Sequence, residues 1–276
     1  MAPGRRLRPG EAVGRIPPAT LEEVEQCPFC AGREHLTPPE TLRLGSGPWQ
    51  VRVFPNRYPA FDRQEIVVHA PRHVRTLAEL SGEQLALMAE AWQLRARDAR
   101  DQGFPYLHAF VNEGRAAGAS LAHTHSQLVP LPEPPPAVAA ELPRLDRRDC
   151  VLCRLTAAEL ADGGHVVLED DGVVLLAHPA GQMPYELLIA PLEHRASGLA
   201  DGRLLVAALR LLAEGIRRLR RLEGAVAWNA WLHDAGHWHL EVVPRLNMLG
   251  GAELGAGIYV NAVAPEQAAT ALRAAT

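Results

Sequence analysis

The chain has 276 residues, of which 47% are hydrophobic, and it carries a formal net charge of −4 at pH 7. This length and composition can bury one large core or two modest ones, and the small negative charge gives no sign of a nucleic-acid-binding surface. No apolar run reaches the roughly 18 residues that a membrane span needs. The sequence therefore predicts a cytoplasmic protein that binds neither membranes nor nucleic acids.

The four cysteines occur as two Cys-x-x-Cys pairs, Cys27/Cys30 and Cys150/Cys153. In a reducing cytoplasm such pairs are metal-binding knuckles or redox dithiols more often than structural disulfides. Both readings remain open at this point.

The sequence that follows each pair is repeated. A buried strand ends at an Ala-Pro dipeptide and is followed by a histidine, in residues 65–73 and again in residues 186–194. Stretches with helical periodicity come next, from Leu77 to Asp101 and from Leu204 to Leu222. The repeat predicts two similar α+β halves.

The segment between the repeats, residues 130–138, contains five prolines. Proline lacks a backbone N–H and fixes φ, so we expect this segment to form neither a helix nor a central strand. It is predicted to be a linker, with a boundary near residue 140. The two domains are then residues 1–140 and 141–276.

His123-Thr-His-Ser-Gln127 alternates long polar residues with small ones. Alternation is typical of a strand, so the side chains of His123, His125 and Gln127 share one face. Two imidazoles and an amide on one surface indicate a phosphate-handling site.

Each half also offers four candidate zinc ligands, two cysteines and two histidines at matched positions. The first set is Cys27, Cys30, His73 and His123, and the second is Cys150, Cys153, His194 and His237. If His123 binds metal, His125 is left to attack phosphorus as a neutral imidazole. Gln127 and Ser120 are then candidates to hydrogen-bond the phosphate oxygens.

Several motifs in chain order resemble the galactose-1-phosphate uridylyltransferase family, a branch of the histidine-triad superfamily. They are Cys27-Pro-Phe-Cys, Phe54-Pro-Asn, Asn112-x-Gly, Ser120-x-x-His-x-His-x-Gln127 and Trp238-His-Leu-Glu-Val-Val-Pro-Arg245. The resemblance extends from about residue 8 to the end of the chain.

This resemblance implies two tandem histidine-triad-like halves, each an antiparallel sheet with packed helices, usually in a homodimer. It implies transfer of a nucleoside monophosphate, foremost UMP, between a nucleotide sugar and a sugar phosphate through a nucleotidyl-histidine intermediate. The alternatives are adenylyl transfer of the ADP-glucose phosphorylase type and a nucleotide-binding zinc module without turnover.

The residue roles that the resemblance implies match the chemical reading. His125 corresponds to the nucleophile and Gln127 to the phosphate-binding glutamine, while Asn56, Asn112 and Ser120 correspond to nucleotide contacts. Glu253 lies in the family's sugar-binding segment. The first cysteine and histidine set corresponds to the zinc ligands.

For the second metal site two models compete for His237. Some family members hold iron there with one glutamate and three histidines, which maps onto Glu159, His233, His237 and His239. The second cysteine pair favours zinc instead. Glu241 occupies the place of Gln127 in the second repeat, and an anionic side chain there repels phosphate, so chemistry is expected only in the first half.

Overall fold

The computed structural model describes residues 14–276, so the first 13 residues of the predicted N-terminal half lie outside the described range. The helices are α1 (Leu21–Gln26), α2 (Gly82–Asp101), α3 (Pro136–Glu141), α4 (Val151–Asp162), α5 (Gly202–Glu223), α6 (Gly251–Ala256) and α7 (Pro265–Ala274). The strands are β1 (Leu42–Leu44), β2 (Val51–Pro55), β3 (Glu65–Val68), β4 (Tyr106–Glu113), β5 (His125–Leu131), β6 (Val166–Asp170), β7 (Val173–Ala177), β8 (Leu187–Pro191), β9 (Trp228–His233) and β10 (His239–Pro244).

The ten strands of residues 14–276 form one antiparallel sheet in the order β1-β2-β3-β5-β4-β9-β10-β8-β7-β6. Counted inward from either edge, the two halves place their five strands in the same relative order. The halves meet where β4 pairs with β9, from Phe110–Trp231 to Glu113–Trp228. The predicted α+β repeat is confirmed, with the two sheets joined into one.

The two long helices, α2 and α5, pack on one face of this sheet. Helix α2 is capped by Ser81, whose hydroxyl accepts a hydrogen bond from the backbone N–H of Gln84 while the Gln84 side chain accepts one from the backbone N–H of Ser81. This capping box satisfies N–H groups at the helix start. The predicted helix from Leu77 therefore starts later, after a 3-10 turn over Leu77–Glu79.

The core beneath the two helices draws on both halves. It includes buried side chains from α2, α5, β5 and β9, such as Trp92, Leu209, Leu128 and Trp228. Alternate residues of the strands face the other way. At each end of that second face a small apolar cluster surrounds a cysteine pair, with Cys27 beside Phe54 in the first half and Cys150 in the second.

The expectation for the proline-rich segment is wrong at both of its ends. Pro130 lies within β5, opposite Leu107 of β4, and Pro136 is the first residue of α3. Pro130 lies beyond Leu128, the last residue of β5 that pairs with β3. At the first position of a helix the missing N–H costs nothing, because that group has no partner within the helix.

The boundary near residue 140 falls in the last turn of α3 and stays a prediction. Within residues 14–276, every helix is too short or too polar to cross a membrane.

Candidate active site and metal centres

The first cysteine pair meets two histidines on the second face of the sheet. The Sγ atom of Cys27 lies 3.4 Å from Nδ1 of His123, and Sγ of Cys30 lies 3.6 Å from Nδ1 of His73 and 3.7 Å from Nδ1 of His123. Tetrahedral zinc with bonds of 2.0 to 2.3 Å separates its ligands by about 3.3 to 3.8 Å. The spacing of these four side chains therefore fits zinc.

The far sides of both rings are also arranged as metal ligands require. The Nε2–H of His123 donates to the backbone oxygen of Ala70 at 2.9 Å, and Nε2 of His73 lies 3.1 Å from a carboxylate oxygen of Glu23. Such outer hydrogen bonds fix the tautomer so that the unprotonated nitrogen faces the metal. Burial lowers the pKa of His123 to about 4, which keeps its ring neutral.

The second half repeats this cluster. Nδ1 of His237 lies 3.3 Å from the sulfur atoms of both Cys150 and Cys153, and Sγ of Cys153 lies 3.6 Å from Nδ1 of His194. Nε2 of His237 donates to the backbone oxygen of Pro191 at 3.2 Å. Ala70 lies just beyond β3, and Pro191 is the last residue of β8, the equivalent buried strand, so the two clusters share the same local fold.

The alternative set of one glutamate and three histidines is not brought together. Glu159 accepts a hydrogen bond from His165 at 2.7 Å, and His237 belongs to the second cysteine cluster. The remaining two histidines instead join two other glutamates. This third cluster consists of Glu141, His233, His239 and Glu241, whose ligand atoms lie within 4.8 Å of one another.

In the third cluster, Nδ1 of His233 lies 2.9 Å from Oε2 of Glu141, and Nε2 of His239 lies 3.7 Å from the same oxygen. Two imidazoles and two carboxylates form a nitrogen and oxygen donor set that suits iron, manganese or zinc. Glu141 could not be identified from the repeat, because it lies at the end of α3, outside the repeated motifs.

His125, at the start of β5, is held in a defined tautomer. Its Nδ1–H donates to the backbone oxygen of His123 at 2.8 Å, which leaves the lone pair on Nε2. Phe29 packs edge-on against the ring, with centroids 5.3 Å apart. Burial lowers the pKa of His125, so the ring is the neutral imidazole that nucleophilic attack requires.

Gln127 lies two residues further along the same face, opposite Phe110 of β4. Its Oε1 accepts a hydrogen bond from Nε2 of Gln64, the residue just before β3. Asn112 lies on β4, one residue beyond the pair Val111–Ser126 and therefore beside His125. The structure thus brings His125, Gln127 and Asn112 together.

Asn56 and Ser120 lie on two different cavities. Asn56 and Gln64 line a cavity of about 280 Å³ beside β3. Ser120 is exposed and lines a larger cavity of about 770 Å³ together with Arg75 and Arg115. Cys27 and His73 also line the larger cavity, which places it against the first metal cluster.

Glu253, expected to contact a sugar, is buried in α6. Its Oε2 accepts a hydrogen bond from the backbone N–H of Gly250 at 2.9 Å and so caps this short helix. The contact stabilises the start of the helix. This hydrogen bond lies at the start of α6, so it does not connect Glu253 to the other residues that the sequence predicts for the site.

Behind the strand that carries His125 lies a buried network that the repeat does not indicate. The ring of His69 contacts the hydroxyl of Thr124 at 3.1 Å and the hydroxyl of Ser126 at 3.0 Å, and Trp92 donates to Ser126 at 2.8 Å. Burial lowers the pKa of His69 well below its ordinary value. These contacts fix the backbone on both sides of His125.

Comparison with known proteins agrees with this geometry. The family model for the galactose-1-phosphate uridyl transferase N-terminal domain matches residues 59–132. The chain is 27% identical to an ADP-glucose phosphorylase from Arabidopsis thaliana over 99% of this chain and 88% of that protein. It is 24% identical to a galactose-1-phosphate uridylyltransferase from Thermotoga maritima, over 90% and 89% of the two chains.

Solved structures extend the similarity to the fold. The crystal structure of the Arabidopsis thaliana ADP-glucose phosphorylase with bound ADP-glucose superposes with a TM-score of 0.82 at 28% identity, covering 99% of this chain and 93% of that one. A uridylyltransferase structure gives a TM-score of 0.78 at 27% identity, with 96% and 95% covered. The chain is therefore similar, in sequence and in fold, to members of the galactose-1-phosphate uridylyltransferase family.

Proposed function

We propose that this protein is a nucleotidyltransferase that moves a nucleoside monophosphate, foremost UMP, between a nucleoside diphosphate hexose and a hexose 1-phosphate. The observation that carries the proposal is the tautomer of His125. Its Nδ1–H is held by the backbone oxygen of His123, so Nε2 presents a lone pair to phosphorus. A neutral imidazole fixed in this way is a nucleophile for two successive displacements.

In the first displacement, Nε2 of His125 attacks the α-phosphorus of the nucleotide sugar. The bond from phosphorus to the bridging oxygen breaks, and the sugar 1-phosphate leaves with that oxygen. The acceptor phosphate then attacks the same phosphorus and releases the imidazole. Gln127, Asn112 and Ser120 are proposed to donate hydrogen bonds to the phosphate oxygens, which stabilises the charge that develops during transfer, and Asn56 to contact the nucleotide.

We propose zinc at both cysteine clusters, held by Cys27, Cys30, His73 and His123 and by Cys150, Cys153, His194 and His237. Bound zinc supplies folding free energy and fixes the strands that lead into the site. The sequence allowed iron as an alternative at the second metal site. We propose that such iron would bind at the third cluster, which consists of Glu141, His233, His239 and Glu241. Elemental analysis separates the models: two zinc atoms per chain support the cysteine clusters, and added iron supports the third.

A homodimer is proposed from the segment around α6. The side chains of Leu254, Met248 and Ile258 are 74%, 73% and 62% exposed. Large apolar side chains exposed within one short segment of the sequence are typical of protein interfaces. Glu253, in the same segment, is proposed to contact the sugar once the segment is paired.

A cytoplasmic location is proposed because the four cysteines are free and face histidines.

A second candidate is adenylyl transfer of the ADP-glucose phosphorylase type, with inorganic phosphate as acceptor. The observation that favours it is the similarity to the plant ADP-glucose phosphorylase over 99% of this chain. Both candidates use the same nucleophile. They differ in the base of the donor and in the acceptor.

The test is trapping of the intermediate. The protein is incubated separately with UDP-glucose and ADP-glucose labelled in the α-phosphate, without acceptor, and the labelled peptide is mapped. We expect the label on His125, stable to alkali and lost in mild acid as a phosphorus–nitrogen bond requires. His125→Ala should remove the label, and His35→Ala, a change at an exposed histidine, should retain it.

The acceptor is identified by chasing the labelled protein with galactose 1-phosphate or with inorganic phosphate. Release of labelled UDP-galactose supports the first candidate, and release of labelled ADP supports the second. Label that persists in His125→Ala would contradict the proposed intermediate. Nucleotide binding without any label would indicate a binding module, and steady release of mononucleotide without acceptor would indicate a hydrolase.

A further inference from the structure

Two amide side chains of the proposed site are each held by a second amide. We infer that Asn229, together with Arg245, and Gln64 are positioning residues that hold Asn112 and Gln127 with their NH2 groups toward the substrate. The site then offers hydrogen-bond donors to the acceptor oxygens of a phosphate group. This inference rests on the proposed function, which assigns Asn112 and Gln127 to phosphate binding.

The orientation of Asn229 is determined at both ends of its amide. Nε of Arg245 donates to Oδ1 of Asn229 at 2.5 Å, and a guanidinium group can only donate. Nδ2 of Asn229 donates to the backbone oxygen of Ala117 at 2.8 Å, and a carbonyl can only accept. Rotating the amide by 180° would place two donors together at one end and two acceptors at the other.

The orientation of Asn112 follows from that of Asn229. Nδ2 of Asn229 also donates to Oδ1 of Asn112, at 2.7 Å, so the Asn112 oxygen is used and its NH2 group points away from Asn229. That group lies next to Gly118. A Cβ atom at position 118 would lie 3.7 Å from Nδ2 of Asn112.

The orientation of Gln127 is determined from the opposite side of the site. The backbone N–H of Ala60, which can only donate, gives a hydrogen bond to Oε1 of Gln64 at 2.8 Å. Nε2 of Gln64 therefore faces Gln127 and donates to its Oε1. The NH2 group of Gln127 remains to face a ligand.

Two hydrogen-bond chains thus reach the site from different parts of the fold, one beginning at Arg245 in the second half and one at Ala60 in the first. Non-bridging phosphate oxygens accept hydrogen bonds and do not donate them. Donors that are already turned toward such oxygens need no reorganisation during the reaction. An amide that rotates freely would present its own oxygen to the phosphate for part of the time.

The test uses two nearly isosteric substitutions, Asn229→Asp and Gln64→Glu. Each keeps an oxygen that can accept from Arg245 or Ala60 but removes the donor toward the reactive amide. Asn112 or Gln127 then turns its NH2 group toward the new carboxylate and its oxygen toward the substrate. We expect the Kd for UDP or ADP, whichever the wild type binds more tightly, to rise about tenfold or more, and the rate of His125 labelling to fall at least as much.

Neutral substitutions separate orientation from added negative charge. Asn229→Leu and Gln64→Met remove the donor without adding a charge, and we expect them also to weaken nucleotide binding. Gln267→Glu introduces an acid at an exposed position of α7, away from the site, and should bind as the wild type does. For the two acidic variants, the loss of nucleotide affinity relative to the wild type should become smaller as the pH falls, because a protonated carboxyl can donate a hydrogen bond again. For the two neutral variants, that loss should not change with pH.

Each outcome decides the inference, provided that all variants keep the wild-type zinc content and unfolding transition. Unchanged nucleotide binding in the four site variants overturns it, and so does weakened binding confined to the two acidic ones, which would indicate charge repulsion alone. If the wild type binds nucleotide but never labels His125, the proposed reaction fails while the binding comparison still tests the positioning residues. If the wild type binds neither UDP nor ADP, the proposed reaction and the inference about the positioning residues both fail.

Discussion

Nδ1 of His125 lies 2.8 Å from the backbone oxygen of His123, and the ring of His123 faces both cysteines of the first cluster. One peptide segment therefore links the proposed metal ligand to the proposed nucleophile. Any change that releases the ring of His123 also shifts the oxygen that fixes the tautomer of His125. Metal binding and reactivity in the first half are thereby coupled through covalent structure.

The first prediction concerns this coupling. Cys30→Ser should lower the zinc content by one atom per chain, and the labelling of His125 by nucleotide sugar should fall about tenfold or more. The matched variant, Cys153→Ser, should also lose one zinc atom and should be less stable to heat, but it should retain most of the labelling. Equal labelling in Cys30→Ser and the wild type would contradict the coupling. Elemental analysis and labelling rates provide the measurements.

The second prediction concerns the buried network behind β5. Ser126→Ala removes the hydroxyl that contacts both His69 and Trp92, leaving the ring nitrogens of both without that partner. Each unpaired buried polar group costs about 1 to 3 kcal/mol, so the free energy of unfolding should fall by roughly 3 kcal/mol. Urea denaturation measures this change. Ser46→Ala, at an exposed serine, should change it little.

The third prediction concerns pH. Glu113 is buried between the backbone N–H of Leu77 and the indole of Trp228, and burial raises its pKa from 4.5 to about 7. Below pH 4.5 this residue is protonated in both the folded and unfolded states. As the pH rises toward 7 the unfolded chain ionises first, so the protein loses stability, on the order of 3 kcal/mol in all.

Glutamine cannot ionise, so the Glu113→Gln protein should lack the pH-dependent loss of stability that Glu113 causes. The free energy of unfolding is measured for both proteins at several pH values between 4.5 and 7. The difference between the two curves removes the pH dependence that both share, including that of the metal clusters. A difference that stays constant over this range would contradict the raised pKa.

The fourth prediction concerns Gly118, whose φ is +89°. Gly118→Ala should cost about 1 kcal/mol of stability, because alanine is strained at positive φ, and its methyl group would occupy space 3.7 Å from Nδ2 of Asn112, beside the proposed phosphate site. Gly47→Ala is the matched control, since Gly47 has a φ of +79° and no atom within 4 Å of the added carbon. Both variants should lose similar stability, but only Gly118→Ala should bind UDP or ADP more weakly in calorimetric titrations.

The repeat in the sequence predicts the parts of the fold that recur. Cysteine and histidine spacing identified two clusters that the structure assembles with similar geometry, and alternation placed His125 and Gln127 on one strand face. Local patterns succeed here because a strand has a period of two and a knuckle has a short fixed spacing.

Features that depend on contacts between residues far apart in the sequence and outside the repeated motifs could not be predicted in this way. Glu141 joins His233 across 92 positions of sequence, and Asn229 reaches Asn112 across 117. Neither glutamate nor asparagine has a local pattern that reveals its partner. The prediction for the proline-rich segment was wrong for a related reason. Pro130 is tolerated in β5 because the pairing of β5 with β3 has already ended at Leu128.

The pairing of β4 with β9 has a consequence for any attempt to separate the halves. A fragment that ends at residue 140 keeps β4 but loses the strand whose backbone groups pair with residues 110 to 113. It would present an open sheet edge with a partly apolar face, which is a template for joining another chain. Such a fragment is expected to associate through β4, and to lack the amide that Asn229 supplies to Asn112.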